Sequence, residues 1–263
     1  MTELDEKLNN FIAHTSKSKV AVIVPLYGYW KDIEDNPLNL QTLQLSVDRI
    51  NSSVHQTYIV FVAEPSRLPR NIQNYVMVHS KAGGNCVGVE VATGSSYAEY
   101  VRKGLEAAQE TTEAAYMLVL NPWNIIQRIG IDMLVDRLNY GDEAKIISGF
   151  NLRPEIKADN FDPTEFEKLQ FNIPIEKYKV DSNFMGITRQ FLEMTPLDEN
   201  IKTAYYMEVD MFQNMHAKGF TAIASQRIPM FVFEVNINEL ENPADLEADK
   251  AYFINKWGFI PEV

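Results

Sequence analysis

Apolar residues in the first half of the chain fall into short unbroken runs. Residues 20–24 are all apolar and mostly β-branched, and Pro25 ends them. Such a run, with no polar alternation, predicts a strand buried on both faces. Further runs predict strands over 58–63, 75–78, 115–120 and 145–148. Between them the period changes to that of a helix. Leu40, Leu43, Val47 and Ile50 recur at helical spacing after Asn36-Pro37, a cap residue followed by proline at the first helical position. Helices are also predicted over 95–109 and 126–138, and residues 80–95, with Gly83, Gly84, Gly88 and Gly94, read as a loop.

After residue 150 the pattern loosens. Residues 151–180 are polar, carry Pro154, Pro163 and Pro174, and show little period. They read as a long excursion, either a lid over one end of a site or a plain surface loop. A strand over 184–187, a short helix around Gln190 and a helix over 203–218 follow, the last stopped by Gly219. Strands over 221–224 and 230–235 and a final helix over 244–256 complete the pattern. A polar helix is predicted over 3–14. Strand and helix alternate, and the strands are wholly apolar. The fold class is therefore α/β, with a mostly parallel central sheet flanked by helices.

Composition narrows the function classes. The formal net charge is -12 with no basic run, so direct nucleic-acid binding is not expected. The N-terminal stretch is polar and unlike a secretory leader, and no run reaches the length of a membrane span. Cys86 is the single cysteine, which excludes an intramolecular disulfide and fits a reducing, cytoplasmic setting. Cys86 itself reads as a small apolar residue. His14, His55, His79 and His216 form no i, i+4 pair and have no cysteine partner, so a zinc site is not expected. No P-loop, GxGxxG or G-x-S-x-G motif is present.

Ligands of such sheets bind beyond the carboxyl ends of the strands. The residues there, taken in order, resemble the family 2 glycosyltransferases of the GT-A (Rossmann-like) fold. Val22-Ile23-Val24-Pro25-Leu26-Tyr27 is similar to the family's opening strand and Pro-x-Tyr turn. Phe61-Val62-Ala63-Glu64 sits where the family has a strand ending in a nucleotide-binding acid. Gly94-Ser95-Ser96-Tyr97 with Arg102 and Gly104 follows the spacing of its next helix. Leu118-Val119-Leu120-Asn121-Pro122-Trp123 resembles the Leu-Asn-Pro-Asp form of its metal-binding DxD motif. Phe184 to Arg189, Leu197-Asp198-Glu199-Asn200 and Tyr206-Met207-Glu208-Val209-Asp210-Met211 match its later strand, turn and helix, closed by Gly219-Phe220.

The resemblance implies one GT-A unit. Residues 1–18 form an N-terminal arm, 19–150 the nucleotide-sugar-binding half, 151–240 the smaller acceptor-side half, and 241–263 a C-terminal helix. It implies transfer of a sugar from a nucleotide-sugar donor to a glycan or other hydroxyl acceptor, with inversion. The alternative is an inactive binding or scaffold protein of the same fold. Glu208 aligns with the family's catalytic base, and Asp210 is a second catalytic candidate. Pro25, Tyr27, Glu64, Arg102, Asn121, Trp123 and Arg189 are the nucleotide-sugar-binding candidates. The family's DxD motif holds Mn2+ or Mg2+ through its last acid. Trp123 stands at that position, and an indole cannot bind a hard cation. Asn121 is then the weak candidate ligand, and Arg102, Arg153 or Arg189 can take the diphosphate instead. A nucleotidyltransferase ranks third, because Tyr27-Gly28-Tyr29-Trp30-Lys31 offers one glycine and one lysine where that class has a glycine-rich basic loop.

Overall fold

The fold was read from a computed structural model, in which residues 17–28, 38–81, 85–140, 144–152, 176–177, 181–232 and 241–261 are described. Strands β1 (Lys19–Pro25), β2 (Gln56–Ala63), β3 (Cys86–Glu90) and β4 (Tyr116–Leu120) are mutually parallel and lie in the order β3-β2-β1-β4. Helices α1 (Leu38–Asn51), α2 (Arg70–Lys81) and α3 (Tyr97–Thr111) connect them. The remaining elements are β5 (Asn124–Ile126), α4 (Gly130–Tyr140), β6 (Ala144–Leu152), β7 (Glu176–Lys177), β8 (Phe184–Thr188), α5 (Arg189–Met194), α6 (Ala204–Ala217), β9 (Thr221–Val232) and α7 (Pro243–Trp257). They extend the sheet in the order β4-β8-β6-β9-β5, with β7 on β9. β8 runs antiparallel to both of its neighbours.

Each face of the sheet is buried. Along β1, Ala21 and Ile23 point into a core shared with α3, α6 and α7, where Tyr97, Tyr100, Leu105, Met211 and Phe253 lie. Val20, Val22 and Val24 point to the other core, with Leu43, Val47 and Ile50 of α1 and Leu134 and Leu138 of α4. This is why the strand runs are apolar without alternation. Gly104 lets α3 lie close on β1 and β2, because a Cβ there would come within 2.4 Å of Ile23 and 2.8 Å of Val62.

The structure corrects several expected elements. Residues 75–78 belong to α2, not to a strand; Ile72, Tyr75 and Val76 face the core while Met77 and Val78 are exposed. The third strand is β3, inside the glycine-rich stretch 80–95. Among the described residues it pairs with β2 alone and forms the sheet edge, so its half-exposed residues lack an apolar run. Residues 124–126 form β5 before the helix begins at Gly130. The strand expected at 221–224 and the described part of that expected at 230–235 are one long strand, β9, with an irregularity opposite Gly149 and Phe150; residues 233–235 lie outside the described residues. Residues 151–180 supply the end of β6 and all of β7. The rest of that excursion, with Arg153, the helix expected over 3–14 and Tyr29 to Lys31 lie outside the described residues. Among the described residues no helix is long and apolar enough to cross a membrane.

Candidate active site at the carboxyl ends of β1, β2 and β4

β1 has β2 on one side and β4 on the other, so the strand order reverses between β1 and β4. Open α/β sheets bind ligands at such a switch point. Pro25 ends β1 there and is buried. Tyr27 follows, also buried, and Gly28 then turns the chain at φ 79°. The Tyr27 ring lies edge-on to Tyr97 and Tyr100, with centroids 5.6 and 5.4 Å away. Burial pushes its phenol up to about 12, with the charges of Glu241 and Asp245 adding to the effect.

Beyond β4 the chain makes a tight polar turn. The Asn121 side-chain oxygen accepts from the Trp123 backbone N–H at 3.1 Å, and its amide nitrogen donates to Asn183 Oδ1 at 3.3 Å. This Asx turn is fastened to the start of β8 by Asn124 Nδ2, which donates to the Asn183 carbonyl at 2.9 Å. The Trp123 indole N–H donates to the Tyr27 carbonyl at 3.2 Å.

The residues at this turn do not fit the metal that the resemblance implies. Both ends of the Asn121 amide are engaged within the protein, and Trp123 is a buried indole. A hard divalent cation needs several oxygen ligands. Among the described residues no three His, Cys, Asp or Glu side chains are grouped to hold an ion.

Glu64 ends at the same edge of the sheet and is 1% exposed. Its carboxylate accepts from the Gly94 N–H at 3.2 Å and from Ser66 Oγ at 3.4 Å, and pairs with Arg67 Nε at 3.0 Å. It thereby ties the end of β2 to the turn that leads into α3.

Three expected site residues lie elsewhere. Arg102 pairs with Glu106 along α3 at 3.0 Å, one turn further from the switch point. Arg189 lies at the opposite end of the sheet. Its guanidinium donates to the carbonyls of Gln109, Thr112 and Ala114 at 3.1, 2.6 and 2.8 Å. It therefore caps the carboxyl end of α3 and does not face a diphosphate. Asp210 turns to α7, where it accepts from the Trp257 indole at 2.7 Å and pairs with Lys256 at 2.8 Å. Its place two residues after Glu208 on a helix puts it on another side. His216 stacks on Phe212 in the last turn of α6.

Glu208 does lie at the carboxyl end of β4. Because β8 is antiparallel to β4, the loop before it, Asp181-Ser182-Asn183, arrives at the ligand edge. There the Ser182 backbone N–H and hydroxyl both donate to Glu208 Oε1, at 2.8 and 2.6 Å. The Tyr97 hydroxyl donates to the Ser182 carbonyl at 3.0 Å. Glu208 is the fifth residue of α6, so it sits past the first turn, where the helix dipole acts. Ser182 holds this carboxylate by two hydrogen bonds.

Ser182, Asn183, Tyr97 and Glu241 were not among the expected site residues. Glu241 accepts from the Ala204 N–H at the start of α6 at 2.5 Å, and its charge is felt at Tyr27 and Tyr97. A polar trio just before an apolar strand was the available signal for Ser182. The strand's direction decides which end of the sheet that trio reaches, and the direction was not in the pattern.

No protein-family model and no curated protein sequence matches the chain. Solved structures do. GalNAc-T7, crystallised with UDP, GalNAc and Mn2+, superposes with a TM-score of 0.58 at 12% identity, over 93% of this chain and 49% of that one. The mannosyltransferase PcManGT from Pyrobaculum calidifontis, in complex with GDP-Man and Mn2+, gives 0.57 at 14% identity, over 94% of this chain and 67% of that one. The inositol-1-phosphate CTP transferase from T. maritima gives 0.50 at 10% identity, over 91% of this chain and 98% of that one. The chain spans about half the length of the GalNAc-T7 chain. At these identities the likeness shows the fold, and that fold is GT-A-like, as in the glycosyltransferases.

Proposed function

We propose that this chain transfers a glycosyl group from a nucleotide-sugar to an acceptor hydroxyl with inversion, and that Glu208 is the base. The observation that carries this reading is the Glu208 carboxylate at the ligand edge, fixed by two donors of Ser182. A base needs a fixed position within reach of the proton that it takes. The acceptor O–H gives its proton to the Glu208 carboxylate. The acceptor oxygen forms its bond to the anomeric carbon as the bond from that carbon to the diphosphate oxygen breaks. The electron pair leaves with the nucleoside diphosphate. Glu64 and Tyr27, at the ends of β2 and β1, flank the side of the cleft assigned to the nucleotide. Membership of family 2 rests on the ordered motifs in the sequence.

The test is release of nucleoside diphosphate from a panel of UDP-, GDP-, CDP- and dTDP-sugars, with and without simple glycan acceptors. Glu208→Gln leaves donor affinity unchanged by calorimetry and lowers turnover by ~10²–10⁴-fold. A loss of less than about tenfold contradicts the base role.

A second reading, binding without turnover, is favoured by one observation. Glu64, Asn121 and the Tyr27 carbonyl are each already engaged in hydrogen bonds within the protein. Donor binding with no diphosphate release across the panel selects that reading.

A further inference from the structure

Ser182 is 0% exposed and joins three elements. Its backbone N–H and hydroxyl converge on one oxygen of Glu208 in α6, at 2.8 and 2.6 Å. Its carbonyl accepts from the hydroxyl of Tyr97, the fully buried first residue of α3, at 3.0 Å. The Tyr97 ring in turn lies edge-on to Tyr27 at the end of β1. A chain of contacts therefore runs from the nucleotide side of the cleft, through one loop residue, to the carboxylate on the other side.

Two donors on one carboxylate oxygen have two effects. They select a single position for a side chain that otherwise turns about three torsions. They also favour the ionised form, the form that can accept a proton.

We propose that Ser182 is a positioning residue for Glu208, and that Tyr97 holds Ser182 in place. This inference rests on the reading of Glu208 as the base. Ser182 does not touch the reacting atoms. Its backbone N–H stays in every variant, so the hydroxyl is the part that mutation can probe. If Ser182 only closed the loop before β8, losing the hydroxyl would change stability and leave the titration of Glu208 where it was.

The experiment follows the side-chain carboxyl carbons of 13C-glutamate-labelled full-length chain by NMR across pH. Glu208→Gln identifies the Glu208 signal. In Ser182→Ala the midpoint of that signal rises by about one pH unit, the tenfold preference that one charge-assisted hydrogen bond supplies. Tyr97→Phe moves it in the same direction by less. An unmoved midpoint in folded Ser182→Ala overturns the proposal; if that variant does not fold, an unmoved midpoint in Tyr97→Phe overturns it.

Turnover of a nucleotide-sugar separates the two readings. Ser182→Ala lowers kcat about tenfold with the donor KM unchanged, and moves the acidic limb of the pH profile up by the same pH unit. Full turnover in Glu208→Gln sinks the base reading, whatever the NMR midpoint does. Loss of turnover in Glu208→Gln, with an unshifted pH profile in Ser182→Ala, sinks the positioning role alone.

Discussion

Trp123 donates its indole N–H to the backbone carbonyl of Tyr27 at 3.2 Å, across the point where the strand order of the sheet reverses. Where the resembling family carries a metal-binding acid, this chain carries an aromatic that fastens the end of β4 to the end of β1. Tyr97 and Tyr100 close the same corner by packing on Tyr27. The corner between β1 and β4 is therefore held together by neutral groups.

The first consequence concerns metal. With Asn121 already bonded at both ends of its amide, the Asn124 Oδ1 is left as a buried side-chain oxygen of this turn without a hydrogen-bond partner, and one amide oxygen is far short of the ligand set a hard cation needs. Calorimetry of UDP and GDP binding is expected to give the same Kd, within about twofold, in Mn2+ and in EDTA, because a hard cation finds too few oxygen ligands here. A gain of tenfold or more on adding Mn2+ would falsify this.

Arg189 is the second case. It donates to three carbonyls around the carboxyl end of α3, where a helix leaves its last carbonyls without partners inside the helix. Arg189→Ala should cost about 2–3 kcal/mol, the range for hydrogen bonds from a charged group that leave acceptors unmet. Urea unfolding measures that loss. Nucleotide-sugar affinity should not change; a selective loss of affinity in a fully stable variant would return Arg189 to the diphosphate.

These two residues show what the sequence could and could not tell. The apolar runs and helical periods placed most elements, because burial on both faces of a sheet writes itself into composition. The edge strand β3 escaped, since an edge strand needs no apolar run. Arg189 and Asp210 stand out in the sequence by their place in a motif-like pattern, but such a pattern does not say which end of a strand or which side of a helix its charge serves. Arg189 follows β8, which runs antiparallel to β4, so its charge falls at the far end of the sheet. Ser182, before β8, falls at the carboxyl end of β4 for the same reason, and strand direction is a tertiary fact.

Asp210 gives the third prediction. Its carboxylate, 3% exposed, meets Lys256, the Trp257 indole and Asn214. Removing one partner from a largely buried ion pair is costly, about 3 kcal/mol or more when the other charge stays buried; Lys256 is 27% exposed, so solvent will reduce that figure. Asp210→Ala should therefore loosen α7, seen as faster amide exchange along Pro243–Trp257. Any effect on turnover should be far smaller than that of Glu208→Gln. Equal losses in the two variants would restore Asp210 to the chemistry.

The last prediction is about pH. Glu241 accepts from the Ala204 N–H through one oxygen, while its other oxygen is buried without a hydrogen-bond partner. Burial pushes this carboxyl up from 4.5 to about 7; the Ala204 N–H opposes the shift, and the charges of Asp249 and Asp245 add to it. The folded chain therefore holds this proton more tightly than the unfolded chain does. Its contribution to stability is complete below 4.5 and is lost as pH rises to about 7, a change on the order of 3 kcal/mol. Asp132, raised by burial from 3.8 to about 6, acts with the same sign at lower pH. His55, lowered by burial from 6.5, acts with the opposite sign below that value, so the share of Glu241 in the slope between pH 6 and 8 is the part that Glu241→Gln removes. Glu241→Gln keeps an oxygen for Ala204 and cannot ionise. It should flatten the fall in stability over that window and leave the variant more stable than the parent at pH 8. A parent-like slope in the variant would mean that some other group carries the pH dependence.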